Sequence, residues 1–314
     1  MPHALLTSRA IVGEIYNRLT AGDASWVSRY AMKINSSQET ETYGWLGQVP
    51  QMREWIGGRQ PKELREHTFS IKNKDHEATL EILTKHLRRD QSGQIRVRIG
   101  ELSRRVLSYP MKLMSTLMIN GESQLCYDGQ YFFDTDHAEG DSGSQSNDLS
   151  VDISGLAVAV HGTATAPSVG EMQQAILLAV QAILGFKDDQ GEPMNEGATE
   201  FEVMVPTSLW AVAVAAVALP MIDNGNANTI PALDKLKITP VVNPRLTWTD
   251  KFAVYRTDGE TKPFILQEEV PVAVDAIAEG SELEFKEKKH WYGVEWGGNV
   301  GYGFWQHACL VTMV

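Results

Sequence analysis

Residues 91–120 read QSGQIRVRIGELSRRVLSYPMKLMSTLMIN, and Ile95, Ile99, Leu102, Val106, Leu113 and Leu117 fall at three- and four-residue spacings or their sum. That period puts them on one face of an α-helix, so the stretch predicts a long amphipathic helix. Arg88, Arg89, Arg96, Arg98, Arg104 and Arg105 lie in or just before it and make its polar side basic. Pro110 sits well inside. A proline there removes one backbone donor and clashes with the preceding turn, so a bend is expected near Tyr109. On the N-terminal side the period changes to two: Phe69 and Ile71, then Ala78, Leu80 and Ile82, alternate with polar residues as strands do. This part of the chain, residues 44–83, reads as a long hairpin-like excursion. Its beginning carries Trp45, Leu46, Trp55 and Ile56 beside glycines. It is too polar to enclose a core of its own, so its tryptophans need cover from the rest of the chain or from a partner.

Beyond the helix, residues 138–168 are rich in Gly, Ser, Asp and Ala and separate it from a second compact unit. That unit opens with the capping box Ser168-Val169-Gly170-Glu171, followed by Met172, Ile176, Leu177, Val180 and Ile183 at helical spacing. A strand from Phe201 to Val205 ends at Pro206, and Thr207 is placed to cap a short helix from Ser208 to Ala218. Short strands are expected near Leu236–Val242, Phe252–Tyr255, Phe264–Gln267, Val270–Val274, Glu282–Lys288 and Gly303–Met313. At the other end, a helix over Ser8–Leu19 and a polar stretch at residues 35–40 read as an arm outside any core. The class is α+β.

Composition bounds the function. A chain of 314 residues with 43% hydrophobic content has room for one large core or two modest ones. The longest apolar run, Leu209 to Leu219, is about half the roughly 20 residues a membrane span needs, and the N-terminus lacks a secretory pattern. The protein is expected to avoid membranes and to stay in the compartment where it is made. Cys126 and Cys309 lie far apart and read as reduced, buried thiols. The net charge is -12, but residues 1–112 hold 18 of the 28 bases against 12 of the 40 acids, a net of +6, leaving -18 for the rest. Two readings stay open: an unevenly solvated surface, or basic and acidic parts of neighbouring molecules meeting each other or a polyanion.

Catalytic and phosphate-binding motifs are absent: no phosphate-cradling Gly-rich loop before a Lys, no His-Glu-x-x-His, no Gly-x-Ser-x-Gly. Gly297-Gly298-Asn299-Val300-Gly301-Tyr302-Gly303 lacks the spacing and following helix of a dinucleotide site and reads as a turn. The best metal candidate is Asp134-Thr135-Asp136-His137. It misses the calcium-loop pattern at its fifth and sixth positions, so a structural turn is the favoured reading, with Asp and Thr oxygens bonding nearby amides.

Three segments taken together resemble the Mu-like major head subunit family of tailed phages. The first runs from Ala31-Met32 through Asn35-Ser36-Ser37 and Thr42-Tyr43-Gly44-Trp45-Leu46-Gly47 to Glu54-Trp55-Ile56-Gly57. The second is Cys126-Tyr127-Asp128-Gly129-Gln130-Tyr131-Phe132-Phe133-Asp134-Thr135-Asp136-His137, and the third is Gly301-Tyr302-Gly303-Phe304-Trp305-Gln306.

The resemblance implies the Hong Kong ninety-seven type capsid fold: an N-terminal arm (1–43), an extended loop hairpin (44–83), a peripheral domain (84–160 and 269–300) carrying a spine helix at 91–120, and an axial domain (161–268 and 301–314). It implies a major capsid protein without enzymatic activity or cofactor, assembled in the bacterial host cytoplasm into the icosahedral head of the virion. Its partners would be itself as hexamers and pentamers, a scaffolding protein, a portal, optionally a decoration protein, and packaged double-stranded DNA held by weak contacts. Because the family-like residues begin near Ala31, the scaffold is expected to be a separate protein and the subunit uncleaved.

On this reading Trp45, Leu46, Trp55 and Ile56 are interface candidates, and the six arginines named above face neighbours or the lumen. Asp128, Gly129, Asp134, Asp136 and His137 form a structural turn. An encapsulin-type compartment shell, or a metal-dependent hydrolase built on the Asp-rich turn, are the alternatives.

Overall fold

The computed structural model describes residues 7–21, 26–44, 46, 69–89 and 93–314. In chain order its elements begin with α1 (Ser8–Ala21), α2 (Val27–Tyr30), β1 (Ala31–Asn35), β2 (Thr40–Thr42), β3 (Ser70–Lys72), β4 (Lys74–Leu83), α3 (Thr84–Arg89), α4 (Gln94–Leu107) and α5 (Tyr109–Ile119). They continue with β5 (Asp148–Val151), α6 (Val169–Gly185), β6 (Glu200–Val205), α7 (Trp210–Ala218), β7 (Met221–Ile222), β8 (Asn226–Ala227), β9 (Lys237–Val242) and β10 (Lys251–Arg256). The last are β11 (Phe264–Ile277), α8 (Glu282–Glu287), β12 (Lys289–Tyr302) and β13 (Ala308–Met313).

Two sheets organise these elements. One has the order β1-β11-β12-β4, the other β5-β13-β10-β6-β9. In the first, β1 runs parallel to β11 while β12 is antiparallel to both of its neighbours, β11 and β4. In the second, β5 is parallel to β13 and β9 to β6, with β10 antiparallel to both of its neighbours. The larger core joins α5, α6 and α7 to the five-stranded sheet through Ile176, Val180, Ile183, Phe201, Val203, Phe252, Val254 and Leu310. A smaller core packs Ile11 and Ile15 of α1 and Ile95 and Ile99 of α4 on Ile82, Tyr292 and Val294 of the four-stranded sheet. Where the sheets meet, rings of Trp26, Tyr30, Tyr255, Phe264, Phe132 and Tyr302 touch in succession, with centroids 4.6 to 5.6 Å apart. Such ring pairs add to the free energy of burying the area itself.

The capping box forms as the sequence reads: Ser168 Oγ accepts from the Glu171 N–H and the Glu171 carboxylate accepts from the Ser168 N–H. The structure departs from expectation in five places. The segment read as an arm is built into both cores, with Ile11, Ile15 and Tyr30 fully buried. Its isoleucines meet the apolar stripe of α4, and hiding each such side chain contributes on the order of 2 kcal/mol. Near Tyr109, where a bend is expected, the helix over 91–120 is instead divided into two at Ser108, so that Pro110 stands in the first turn of α5, where a missing N–H costs nothing. The short helix starts at Trp210 with no side-chain cap from Thr207; its N-cap is Leu209. Residues 282–287 are helical because Ser281 Oγ accepts from the Glu284 N–H, a cap that outweighs the strand-like alternation Leu283, Phe285. Finally, residues 297–302 are strand, the end of β12, where the glycines let other groups approach closely. A Cβ on Gly298 would fall on the Gln267 carbonyl oxygen and one on Gly301 on the end of the Ile71 side chain.

Candidate assembly surfaces

The base of the excursion is tied by buried polar groups. Tyr43 Oη donates to Gln267 Oε1 at 2.6 Å, and Gln267 Nε2 donates to Asn73 Oδ1 at 2.6 Å and to the Ile71 carbonyl at 3.2 Å. Asn73 Nδ2 continues the chain to Ser36 Oγ and the Gln38 carbonyl. Gln267 is wholly buried, so each of its bonds is worth more than one in water. Burial, then the nearby Glu41 charge, pushes the Tyr43 hydroxyl up to about 12, so it stays a donor. With β2 paired to β3 and Lys72 Nζ 2.7 Å from Glu39 Oε1, both ends of the 44–69 segment are held side by side. Sequence reading found Tyr43 but not Asn73 or Gln267, whose partners lie up to 224 residues away.

Trp45, Trp55 and Ile56 lie outside the described residues. Leu46, expected at an interface, is buried at 6% exposure in the chain's own larger core, together with Tyr43.

The arginines separate into groups. Arg88 lines a cleft of about 430 Å³ with Lys85, Arg89 and Lys288. Arg89 also borders an adjoining cleft of about 510 Å³, which holds His86, Arg98 and one acid, Glu81. Glu81 is engaged by Lys289 at 3.2 Å and by the Trp291 indole N–H at 3.1 Å, leaving the cluster strongly cationic. Arg96 instead turns to Glu14 of α1, 3.5 Å away, a pair exposed enough to be worth well under about 1 kcal/mol. Arg104 and Arg105 are exposed in the last turn of α4, where positive charge complements the helix dipole. Structure therefore brings Arg88, Arg89 and Arg98 together and sets Arg96, Arg104 and Arg105 apart.

In the turn, His137 is fully buried. Its Nδ1 lies 2.6 Å from Asp128 Oδ2, its Nε2 3.1 Å from Asn147 Oδ1, and its ring is stacked on Trp305 at 4.0 Å. Asn147 spends its amide hydrogens on the carbonyls of Phe132 and Trp305, so its oxygen can only accept. Burial works against ionising Asp128, yet bonds from His137, from the Cys126 thiol at 2.9 Å and from the Gln130 N–H at 3.1 Å hold its carboxyl below the ordinary range. Gly129 supplies the left-handed residue, at φ 89°, that lets the backbone fold around the carboxylate. Asp134 accepts from the N–H groups of Tyr131 and Thr135, while Asp136 is exposed.

Cys126, Asp128 and His137 place one donor atom each within 4.8 Å of one another. Burial raises the Cys126 thiol well above its usual range, however, so it keeps its proton and donates to Asp128. The group acts as a hydrogen-bonded brace that pins residues 126–137 to the C-terminal segment.

The fold defined by these two sheets and their covering helices is the Hong Kong ninety-seven type found in phage capsid subunits. The structure is similar to a chain of the procapsid of bacteriophage JBD30, with a TM-score of 0.57 and 22% identity over 96% of this chain and 72% of that one. It is also similar to a chain of the virus-like particle from Pyrococcus furiosus, with a TM-score of 0.52, 8% identity and coverage of 96% and 98%. The chain belongs to the Mu-like prophage major head subunit gpT family, whose model matches residues 8–160 and 247–313. The major capsid protein of Escherichia phage Mu is 38% identical over 113 residues, 36% of this chain and 37% of that protein. The chain thus aligns with about two fifths of the length of the curated relatives it matches. Among the described residues no helix is long and apolar enough to cross a membrane.

Proposed function

We propose that the protein is a major capsid subunit, structural rather than catalytic, that assembles with copies of itself into the icosahedral head of a tailed phage and encloses double-stranded DNA. What carries this reading is membership in a head-subunit family at both ends of the chain, in a molecule whose four-stranded sheet pairs β1 and β4 from one end with β11 and β12 from the other. On this reading the copies form hexamers and pentamers, with a separate scaffolding protein, a portal and optionally a decoration protein as further partners. The site of action is the virion, and assembly takes place in the host cytoplasm. Many modest contacts repeated over a closed shell give a durable particle. Residues 1–43 keep the role of an arm only in the part that precedes Ser8 or leaves the cores described above. Of the excursion read at 44–83, β4 (Lys74–Leu83) is held in the four-stranded sheet, so the part that reaches a neighbour is the segment between the strands β2 and β3, starting from the buried Tyr43–Gln267–Asn73 base.

Purified protein, with scaffold supplied, is expected to give closed shells by negative-stain imaging and a sedimentation boundary far above that of a monomer. Monomers or small oligomers alone would overturn the reading. The likeness to the Pyrococcus furiosus particle keeps a compartment shell as the second reading, and the cargo decides: DNA in native particles for a phage head, protein for a compartment.

A further inference from the structure

The 14-residue strand β11 is paired along one side with β12 as far as Ile277 and Trp291. On its other side β1 covers only Phe264 to Glu268, after which the Ser36 N–H bonds the Glu268 carbonyl and the chain turns away. From Glu269 to Ile277, no strand among the described residues occupies that edge. The segment reads Glu-Val-Pro-Val-Ala-Val-Asp-Ala-Ile, rich in β-branched residues, with Val270 39% and Ile277 50% exposed. Open apolar edges invite another strand, and proteins usually blunt them with proline or bulges. Here Pro271 and two register shifts lie before Ala273, while Ala273 to Ile277 pair with Glu295 to Trp291 in unbroken register. The last five residues of the edge carry no such guard.

Alongside runs a groove of about 580 Å³ between α1 and this edge, lined by Val12, Gly13 and Tyr16 on one side and Val274 and Ala276 on the other. A Cβ placed on Gly13 would meet nothing within 4 Å, so the wall is open there. Along the edge and its continuation, Glu269, Asp275 and Glu279 are all acidic, against Arg9 from α1. Among the described residues neither Glu269 nor Asp275 takes part in an ion pair.

We propose that the β11 edge from Ala273 to Ile277 is a strand-addition site for an extended, basic segment of a second copy of this chain. The inference rests on the reading of the protein as a shell subunit. Main-chain bonds to the open edge would supply affinity, and acids facing bases would set the partner. The charge polarity fits, since residues 1–112 carry a net of +6 and the remainder -18.

The test is amide hydrogen exchange read by mass spectrometry on free subunits and on assembled particles, with Asp275→Lys as the variant. Asp275 is exposed, so this change leaves the cores intact. Amides of residues 273–277 are expected to slow by at least about tenfold on assembly, and Asp275→Lys is expected to associate more weakly while keeping its melting temperature. Shells whose 273–277 amides exchange as in the free subunit would overturn strand addition and leave the shell reading standing. Small oligomers with those amides protected and no shells would do the reverse. A chain that stays monomeric at every concentration overturns both.

Discussion

His307 shows how a single buried side chain sets an acid limit on the molecule. Asn195 donates both amide hydrogens to the carbonyls of Ile183 and Gln306, so its oxygen accepts from His307 Nδ1 at 2.8 Å, and Nε2 is left to accept the Thr261 hydroxyl at 2.9 Å. Both ring positions suit a neutral imidazole. Burial, aided by the Arg256 charge, lowers its pKa to about 3. An unfolded histidine takes up a proton near pH 6.5. The folded state therefore refuses a proton that the unfolded state accepts throughout the window from about 6.5 down to about 3, and stability falls as pH falls through it. By pH 4.5 the loss from this residue is on the order of 2 to 3 kcal/mol. Urea unfolding of His307→Gln is expected to show a flatter decline between pH 6.5 and 4.5 than the parent, whatever its stability at pH 7; an unchanged slope would contradict the assignment. Asp128 works in the same direction at lower pH: its depressed carboxyl contributes stability above the unfolded value near 3.9 that is lost as pH falls through the folded one. The His307 network was not legible in the sequence. Asn195 and His307 are 112 residues apart, and hydrogen-bond partners at that separation follow from tertiary packing, not from local pattern.

Helices and strands were more legible, because capping and periodicity act over a few residues. Ser168 and Glu171 announced α6, and Ser168→Ala is expected to cost about 1 kcal/mol by chemical denaturation. Where reading failed, two local signals competed. Leu283 and Phe285 alternate as in a strand, but the cap at Ser281 decides for a helix and leaves Phe285 80% exposed. The glycines of residues 297–303 looked like a turn because their reason for being glycine lies in other parts of the chain. Gly298→Ala is expected to destabilise by about 2 kcal/mol or more, since backbone stands where its methyl would go. Gly293→Ala, on the same strand with nothing nearer than 3.9 Å, is the control and is expected to be neutral or mildly stabilising. Equal melting temperatures for the two variants would count against close packing at Gly298.

At the scale of the whole molecule, the α+β class and the family were legible from three short segments spread along the chain. The integration of the N-terminal segment was not, because isoleucines on a lone helix do not say which surface they will meet. The basic cluster of Arg88, Arg89 and Arg98 gives the charge polarity a location, and on the shell-subunit reading we propose that it pairs with acids of a neighbouring subunit, with DNA contact secondary. Arg89→Glu combined with Arg98→Glu is expected to leave a folded monomer and to cut the yield of empty shells formed with scaffold in the absence of DNA. Normal empty shells that fill poorly with DNA would move the role to the lumen.

The strand orders also dictate a schedule for synthesis. In one sheet β4 and β11 are joined only through β12, and in the other β5 and β10 are joined only through β13. A nascent chain therefore carries neither finished sheet until residues 289–313 have left the ribosome, however much helix it has already formed. Pairings this distant along the chain close slowly. Surfaces that depend on a finished sheet are correspondingly late to appear. A chain cut before Ala308 is therefore expected to be recovered only in the insoluble fraction.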